Sequence, residues 1–134
     1  MKFMQYLFCL LCLSAACTST FASEPQKCSV CGMRVDPSVS FSAQIVHGRQ
    51  VLHFCDIGDL LLYLEEKRDS GGDAWVRDYR SGEWVQASKA FYVHAPVRFS
   101  TPMGWSIAGF KERDTAKAYG IPEGLASIRK RVVK

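Results

Sequence analysis

Cysteine and methionine side chains cluster in one short segment of this 134-residue chain. Cys28 and Cys31 have C-x-x-C spacing, which lets two thiolates reach one metal ion from a tight turn. Gly32 provides the backbone freedom that such a turn uses, and Met33 adds a thioether two residues after Cys31. The pattern predicts a site for a soft metal ion at Cys28–Met33.

Two further sulfur residues lie elsewhere in the chain. Cys55 stands between a predicted strand and a predicted helix, and Met103 lies in a loop containing proline and glycine. A methionine that only fills a core usually lies on a periodic element, so the loop positions favour ligation, although core packing stays open. Thiolates and thioethers prefer Cu(I), whereas a thioether is a poor ligand for Zn(II). We therefore predict Cu(I) held between two loops, with these candidate ligands: Cys31, Met103, Cys28, Met33 and Cys55.

Two alternatives use the same cysteines differently. A structural Zn(II) site needs four ligands, and three cysteines leave it incomplete unless His53 or His47 supplies the fourth. A thiol-disulfide oxidoreductase normally places its active cysteine at a helix N-terminus. The residues after Gly32 do not favour a helix start, and the thioredoxin-like βαβ pattern is absent from the sequence. A Zn(II)-binding module and an oxidoreductase remain alternatives.

The N-terminus has the pattern of an export signal. Lys2 precedes an apolar run over Phe3–Leu13, which is too short to span a bilayer and fits the hydrophobic part of a signal peptide. Cys9 and Cys12 would be removed with it. An odd number of cysteines would then remain in the folded part of an exported protein, which does not suit a simple disulfide framework.

Two cleavage sites compete. Ser14–Cys17 resembles a lipobox that would be lipidated on Cys17, whereas Ala22 ends a sequence typical of ordinary signal-peptidase cleavage. We favour the first slightly and expect a periplasmic, membrane-anchored lipoprotein, with a soluble periplasmic protein as the alternative. The predicted organisation is a signal peptide at 1–16 (alternatively 1–22), a tether at 17–27, a metal-binding domain at 28–120 and a basic tail at 121–134.

Hydrophobic periodicity predicts a small α+β domain. Asp56 is a candidate N-cap for a helix whose apolar stripe is Ile57, Leu60, Leu61 and Leu64. The predicted strands are 40–46, 51–54, 75–79, 83–86, 90–93 and 106–110, and a second helix is predicted at 114–119. The order is ββα followed by ββββα, with a faint two-part symmetry.

Composition excludes several classes of function. Hydrophobic residues make up 48% of the chain, which is enough for a packed core. The net charge of +4 comes without a basic stripe interleaved with aromatic residues, so no nucleic-acid partner is expected. The sequence shows no Ser/His/Asp set, paired carboxylates or phosphate loop, and we expect no enzyme activity.

Several motifs together resemble the NosL family, accessory lipoproteins of nitrous oxide reductase, from about Cys28 to Tyr119. The segment around C-x-x-C-G-M also resembles the YHS/TRASH heavy-metal motif. In that motif a second cysteine follows a Phe-Cys pair, which corresponds to Phe54-Cys55 in this chain. This chain has Gly58 at the place of the second cysteine, so a four-cysteine site is not expected. The motifs that carry the NosL resemblance are CSVCGMRVDP (28–37), HFCD (53–56), WVRDY (75–79), GEWV (82–85), AFYV (90–93) and TPMG (101–104).

The resemblance implies a copper chaperone with two small ββαβ-like halves similar to the organomercurial lyase domain. Such a protein would bind Cu(I) and deliver it to nitrous oxide reductase or its assembly machinery during denitrification. A copper-exporting membrane protein is an expected donor. Cys31 (or Cys28) and Met103 match the family motifs best, followed by Met33. Cys55 matches no NosL ligand that we can name and is inferred from its nearness to the motif.

Overall fold

The computed structural model describes residues 24–68 and 71–133. The predicted signal peptide and Cys17 lie outside these residues, as does most of the predicted tether. The α+β class is confirmed, with antiparallel sheets and short helices. Among the helices in the described part of the chain, none is both long and apolar enough to cross a bilayer.

The first half of the fold is a four-stranded antiparallel sheet with one helix. The strands lie in the order β2-β1-β3-β4, and β1 pairs with both β2 and β3. A tight turn at Gly48, whose φ of 58° favours glycine, joins the first hairpin. The elements are β1 (Ala43–His47), β2 (Gln50–Phe54), α1 (Ile57–Glu66), β3 (Asp73–Arg77) and β4 (Trp84–Gln86).

The second half repeats part of this arrangement. β5 and β6 form an antiparallel pair, and Glu123 makes an antiparallel bridge to Tyr92 on β5. In both halves the first strand therefore lies between its hairpin partner and a later segment, which agrees with the predicted symmetry. The elements are β5 (Phe91–His94), β6 (Ile107–Phe110), α2 (Arg113–Lys117) and α3 (Leu125–Arg129).

Helix α1 carries the apolar stripe that the sequence predicts. Ile57, Leu60 and Leu61 are fully buried in the larger of two core clusters. Asp56 is the N-cap, with an extended backbone and a side-chain Oδ1 that accepts from the backbone N–H of Gly58 at 3.1 Å. This cap fixes the first turn of α1, on which the candidate site depends.

The C-terminal segment, predicted as a solvated basic tail, is packed in the structure. It contains α3, and Ile128 and Val132 are 0% and 5% exposed. Their spacing of four residues places both on one face of a helical segment. Arg129 pairs with Glu65 of α1 at 2.7 Å. Lys130 and Arg131 are exposed beside these buried residues, and Arg129 is half-buried.

Asp78 joins the two sheets where β3 ends. Its Oδ1 accepts from the backbone N–H of Lys111 at 2.7 Å, and its Oδ2 accepts from the backbone N–H groups of Arg80 and Ser81. Next to it, the backbone N–H of Tyr79 donates to the carbonyl of Gly109 on β6 at 2.8 Å. Burial alone would raise the pKa of Asp78, but these hydrogen bonds outweigh it and the pKa is lowered.

Replacing Asp78 by asparagine should therefore destabilise the fold by about 2 kcal/mol at pH 7, because an amide cannot accept every bond that the carboxylate accepts. A carboxyl with a depressed native pKa stabilises the fold above its unfolded pKa of about 3.9, and that contribution is lost as pH falls through the native value. Urea unfolding of Asp78→Asn and wild type should show a difference that shrinks below about pH 4. Asp114→Asn, at an exposed ion pair, should change stability little and serves as the control. An equal loss in the two variants would contradict this role.

Candidate metal site

The C-x-x-C segment forms a tight backbone loop. The N–H of Gly32 donates to the carbonyl of Cys28 at 2.9 Å, and the N–H of Cys28 donates to the carbonyl of Met33 at 2.8 Å. Gly32 has a φ of 74°, a conformation that glycine adopts without strain. The loop thus holds the backbone of both motif cysteines in a fixed turn, and no helix of the described residues begins there.

This loop lies against the end of β2. The N–H of Ser29 donates to the carbonyl of His53 at 2.8 Å, and Cys28 forms a parallel bridge with His53. Because β2 continues directly into Phe54 and Cys55, the contact brings the motif cysteines beside the third cysteine. Sequence spacing alone could not show this contact, since 25 residues separate Cys28 from His53 in the chain.

Three thiols and one carboxylate meet at this point. The side-chain donor atoms of Cys28, Cys31, Cys55 and Asp59 all lie within 4.8 Å of one another. The sulfur atoms of Cys31 and Cys55 are 3.4 Å apart, and Asp59 Oδ2 is 3.4 Å from Cys28 Sγ and 3.6 Å from Cys55 Sγ. Cys28 and Cys55 are buried, while Cys31 is only partly covered.

Asp59 is the donor that the sequence analysis missed. Cys55 precedes the cap of α1 and Asp59 lies in its first turn, four residues later, so that the two side chains reach the same place. In the heavy-metal motif the second cysteine stands four residues after the first, and counting from Cys55 that position is Asp59 and not Gly58. The assignment of Gly58 to this position was wrong, and the C-x-x-x-C spacing was the signal in the sequence that could have identified Asp59.

Burial raises the pKa of the Cys31 and Cys55 thiols. Desolvation raises the pKa of Cys55 far above its usual value, and its hydrogen bond with Cys31 acts in the same direction. The pKa of Cys31 is also raised by desolvation, partly offset by the backbone N–H of Met33. A dithiol oxidoreductase needs a cysteine with a lowered pKa. The raised pKa of Cys31 therefore does not fit a thiol-disulfide catalyst, and the support for a metal site is the meeting of the four donor atoms.

The loop with the second predicted methionine is attached to the same helix. The N–H of Met103 donates to Oδ2 of Asp56 at 3.0 Å, and Trp105 Nε1 donates to Oδ1 of Asp59 at 2.9 Å. The side chains of Met33 and Met103 are 48% and 42% exposed. Neither methionine is a core residue. The structure thus fixes the backbone of Met103 beside the cluster and leaves its thioether at the surface.

The two histidines considered for zinc take other places. His53 is half-buried, desolvation lowers its pKa, and its carbonyl supports the C-x-x-C loop. His47 lies at the far end of the first hairpin, beside Gly71. The four-donor group contains neither of them. Asp59 therefore occupies the position for which the sequence analysis considered a histidine.

Comparison with known proteins gives a family and a fold. The NosL family model matches residues 20–125. Among solved structures, the crystal structure of the copper chaperone NosL from Shewanella denitrificans matches with a TM-score of 0.58 and 19% identity, covering 70% of this chain and 78% of that chain. At this identity the likeness establishes a shared fold. A search of curated proteins gave no significant match.

Gly58 offers a test of how tightly the Met103–Trp105 loop is held on α1. A Cβ at Gly58 would lie 2.0 Å from Cγ of Trp105, so Gly58→Ala must displace the indole. Alanine normally stabilises a helix relative to glycine by up to about 1 kcal/mol. Here we expect a loss of about 1–3 kcal/mol in urea unfolding because of overpacking.

The matched comparison is the same substitution in a Trp105→Ala background. With the indole absent, Gly58→Ala should be neutral or stabilising, and the double-mutant cycle should show strong coupling between the two positions. Gly124→Ala, where no heavy atom lies within 4 Å of the added carbon, should not destabilise through overpacking. Equal effects of Gly58→Ala in both backgrounds would mean that the loop does not pack on α1.

Proposed function

The chain belongs to the NosL family, and we propose that it is a copper chaperone that binds Cu(I) at the Cys28, Cys31, Cys55 and Asp59 cluster. The observation that carries the proposal is the convergence of three thiols from two distant segments within 4.8 Å. Thiolates are soft ligands that favour Cu(I), and they also bind Zn(II). Family membership also supports the prediction that the chain is not an enzyme.

Cys31 is the best candidate for the first contact with the ion. It is the most accessible of the three cysteines and lies within the residues that the family model matches. Cys55, 3.4 Å away, offers a second sulfur, and Cys28 a third. We propose Met103 and Met33 as thioether ligands that reach the ion from the surface side, because both side chains are exposed and free of core packing.

A partly open sulfur site suits a cargo that must be released. Cu(I) accepts low coordination numbers, so an incoming ligand from an acceptor can replace one thiolate at a time. We propose nitrous oxide reductase or its assembly machinery as the acceptor and a copper-exporting membrane protein as the donor. The predicted export signal and the resemblance of Ser14–Cys17 to a lipobox support a periplasmic, membrane-anchored location for this exchange.

Cu(I) titration of the reduced mature protein under anaerobic conditions tests the proposal. Competition with a Cu(I) chelator should give one tightly bound ion per chain. Cys31→Ser and Cys55→Ser should each weaken binding by roughly 100-fold, because each removes a thiolate. Met103→Leu, which keeps the size of the side chain, should weaken binding by about tenfold.

Ser29→Ala is the matched control, because it alters a hydroxyl inside the same loop and keeps the backbone N–H that bonds to His53. It should retain wild-type affinity. Stoichiometric Cu(I) binding that survives both cysteine substitutions would exclude the cluster as the site. Unchanged affinity in Met103→Leu would exclude the thioether of the second loop while leaving the thiolate cluster in place.

A second candidate cargo is Zn(II), and Asp59 is the observation that favours it. The sequence offered only three cysteines, whereas the structure provides a fourth donor, and Zn(II) accepts tetrahedral sets of sulfur and oxygen ligands. The indole N–H of Trp105 donates to the other carboxylate oxygen at 2.9 Å, and hydrogen bonds of this kind orient the side chains that bind a metal. The same cluster therefore offers three sulfur donors, which favour Cu(I), and one carboxylate oxygen, which Zn(II) also accepts.

Asp59→Asn should separate the two metals. It removes the anionic oxygen and leaves the three sulfurs, so Zn(II) affinity should fall by about 10- to 100-fold and Cu(I) affinity by less than about threefold. The affinities are measured by competition with a chelator for each metal, and Asp114→Asn serves as the charge-matched control. An equal fall for both metals would show that Asp59 supports the site as a whole and does not select the metal.

A further inference from the structure

The thiols of Cys31 and Cys55 are arranged as a redox pair as well as a metal site. We propose that in the metal-free protein Cys31 and Cys55 form a disulfide that blocks copper binding until it is reduced. Their sulfur atoms are 3.4 Å apart, and a disulfide requires about 2.05 Å, so a small movement of the two side chains closes the bond. The bond would connect the C-x-x-C loop to the residue before α1.

The geometry favours this pair over the two cysteines of the C-x-x-C motif. Asp59 Oδ2 lies near both buried thiols, 3.4 Å from Cys28 Sγ and 3.6 Å from Cys55 Sγ, so the contact between the sulfur atoms of Cys31 and Cys55 is what favours this pair. Cys31 is partly accessible and contacts the sulfur of Cys55 directly. The sequence motif pairs Cys28 with Cys31, whereas the fold pairs Cys31 with a residue 24 positions away.

The oxidant is a small-molecule or protein disulfide, written RSSR, of the kind present in an oxidising compartment. The sulfur of Cys31 attacks one sulfur of RSSR, forming a mixed disulfide and releasing one RSH. Cys55 then attacks the sulfur of Cys31 in the mixed disulfide, releasing the second RSH. Two thiols are oxidised and RSSR is reduced to 2 RSH, with the two thiol protons passing to the released thiolates.

The consequence for copper rests on the proposed function. The disulfide removes two of the three thiolates from the cluster, so Cu(I) affinity falls until a reductant restores them. Conversely, bound Cu(I) occupies both sulfurs and protects them from RSSR. Metal loading and oxidation therefore exclude each other, and the chain acquires copper only after reduction.

Peptide mapping tests the disulfide itself. The metal-free mature protein is incubated with oxidised glutathione, remaining thiols are alkylated, and the chain is digested with trypsin. Cleavage after Lys27, Arg34, Arg49 and Lys67 puts Cys28 and Cys31 on peptide 28–34 and Cys55 on peptide 50–67. We expect these peptides to be linked, with fragment ions placing the alkyl group on Cys28.

Variants and metal loading sharpen the assignment. Cys28→Ser should keep the linked peptides and Cys31→Ser should lose them, while stoichiometric Cu(I) should slow the linkage of the wild-type protein by at least about tenfold. A disulfide within peptide 28–34, a Cys28–Cys55 link, or three alkylated cysteines after exposure to excess oxidised glutathione would each overturn the proposal.

Copper affinity tests the regulatory step separately. The oxidised protein should bind Cu(I) roughly 100-fold more weakly than the reduced protein, and a phosphine reductant, removed before titration, should restore binding. Retention of affinity within about threefold after complete linkage would overturn the regulation. Failure of the reduced protein to bind Cu(I) would instead defeat the proposed function, and peptide mapping would still decide whether the disulfide forms.

Discussion

The buried carboxylate of Asp56 is the interaction on which the candidate site depends. One oxygen caps α1 through Gly58, and the other holds the backbone N–H of Met103 at 3.0 Å. The side chain is fully buried, and desolvation raises its pKa against the opposing effect of these hydrogen bonds. A single side chain thus sets the start of the helix that carries Asp59 and the place of the loop that carries Met103.

The cluster itself combines local and distant constraints. Cys55 and Asp59 are positioned locally, by the helix cap and by one turn of helix. Cys28 and Cys31 arrive from outside, and their place is set by a backbone contact between Ser29 and His53. Since none of these contacts uses the thiol groups, the fold can bring the sulfurs together before any metal is bound. The cost of crowding thiolates is avoided in the metal-free state because the raised pKa of Cys55 keeps it protonated.

Local patterns predicted most of the fold. Alternation and turn residues identified every strand of the first sheet within a few residues, and the stripe from Ile57 to Leu64 identified α1. The segment after Gly120 was missed, because a five-residue helix with one buried isoleucine gives little periodic signal beside three basic residues. The adjacent basic residues 129–131 obscured the spacing of Ile128 and Val132, which are the buried positions of that segment.

The sequence predicted those site residues whose type alone suggests metal binding, which are the cysteines. Cysteine spacing indicated a metal site, and the structure brings all three cysteines together. Asp59 could not be distinguished by type, since an acidic residue in the first turn of a helix is favourable without any metal. Its role emerges only from the contacts of both oxygens, one toward two sulfurs and one toward the indole of Trp105. Trp105 could not be identified from the sequence for a similar reason, because its hydrogen bond with Asp59 joins residues 46 positions apart.

The four donor residues of the cluster differ in their exposure to solvent. Cys28, Cys55 and Asp59 are buried, whereas Cys31 is partly accessible. Met103 also borders a surface cavity of about 430 Å³, together with His94, Gly104, Trp105 and Arg131. A structural metal site surrounds its ion with fixed ligands, whereas a site with one accessible thiolate allows ligands to be exchanged one at a time. The partial access to Cys31 therefore supports the proposed carrier role.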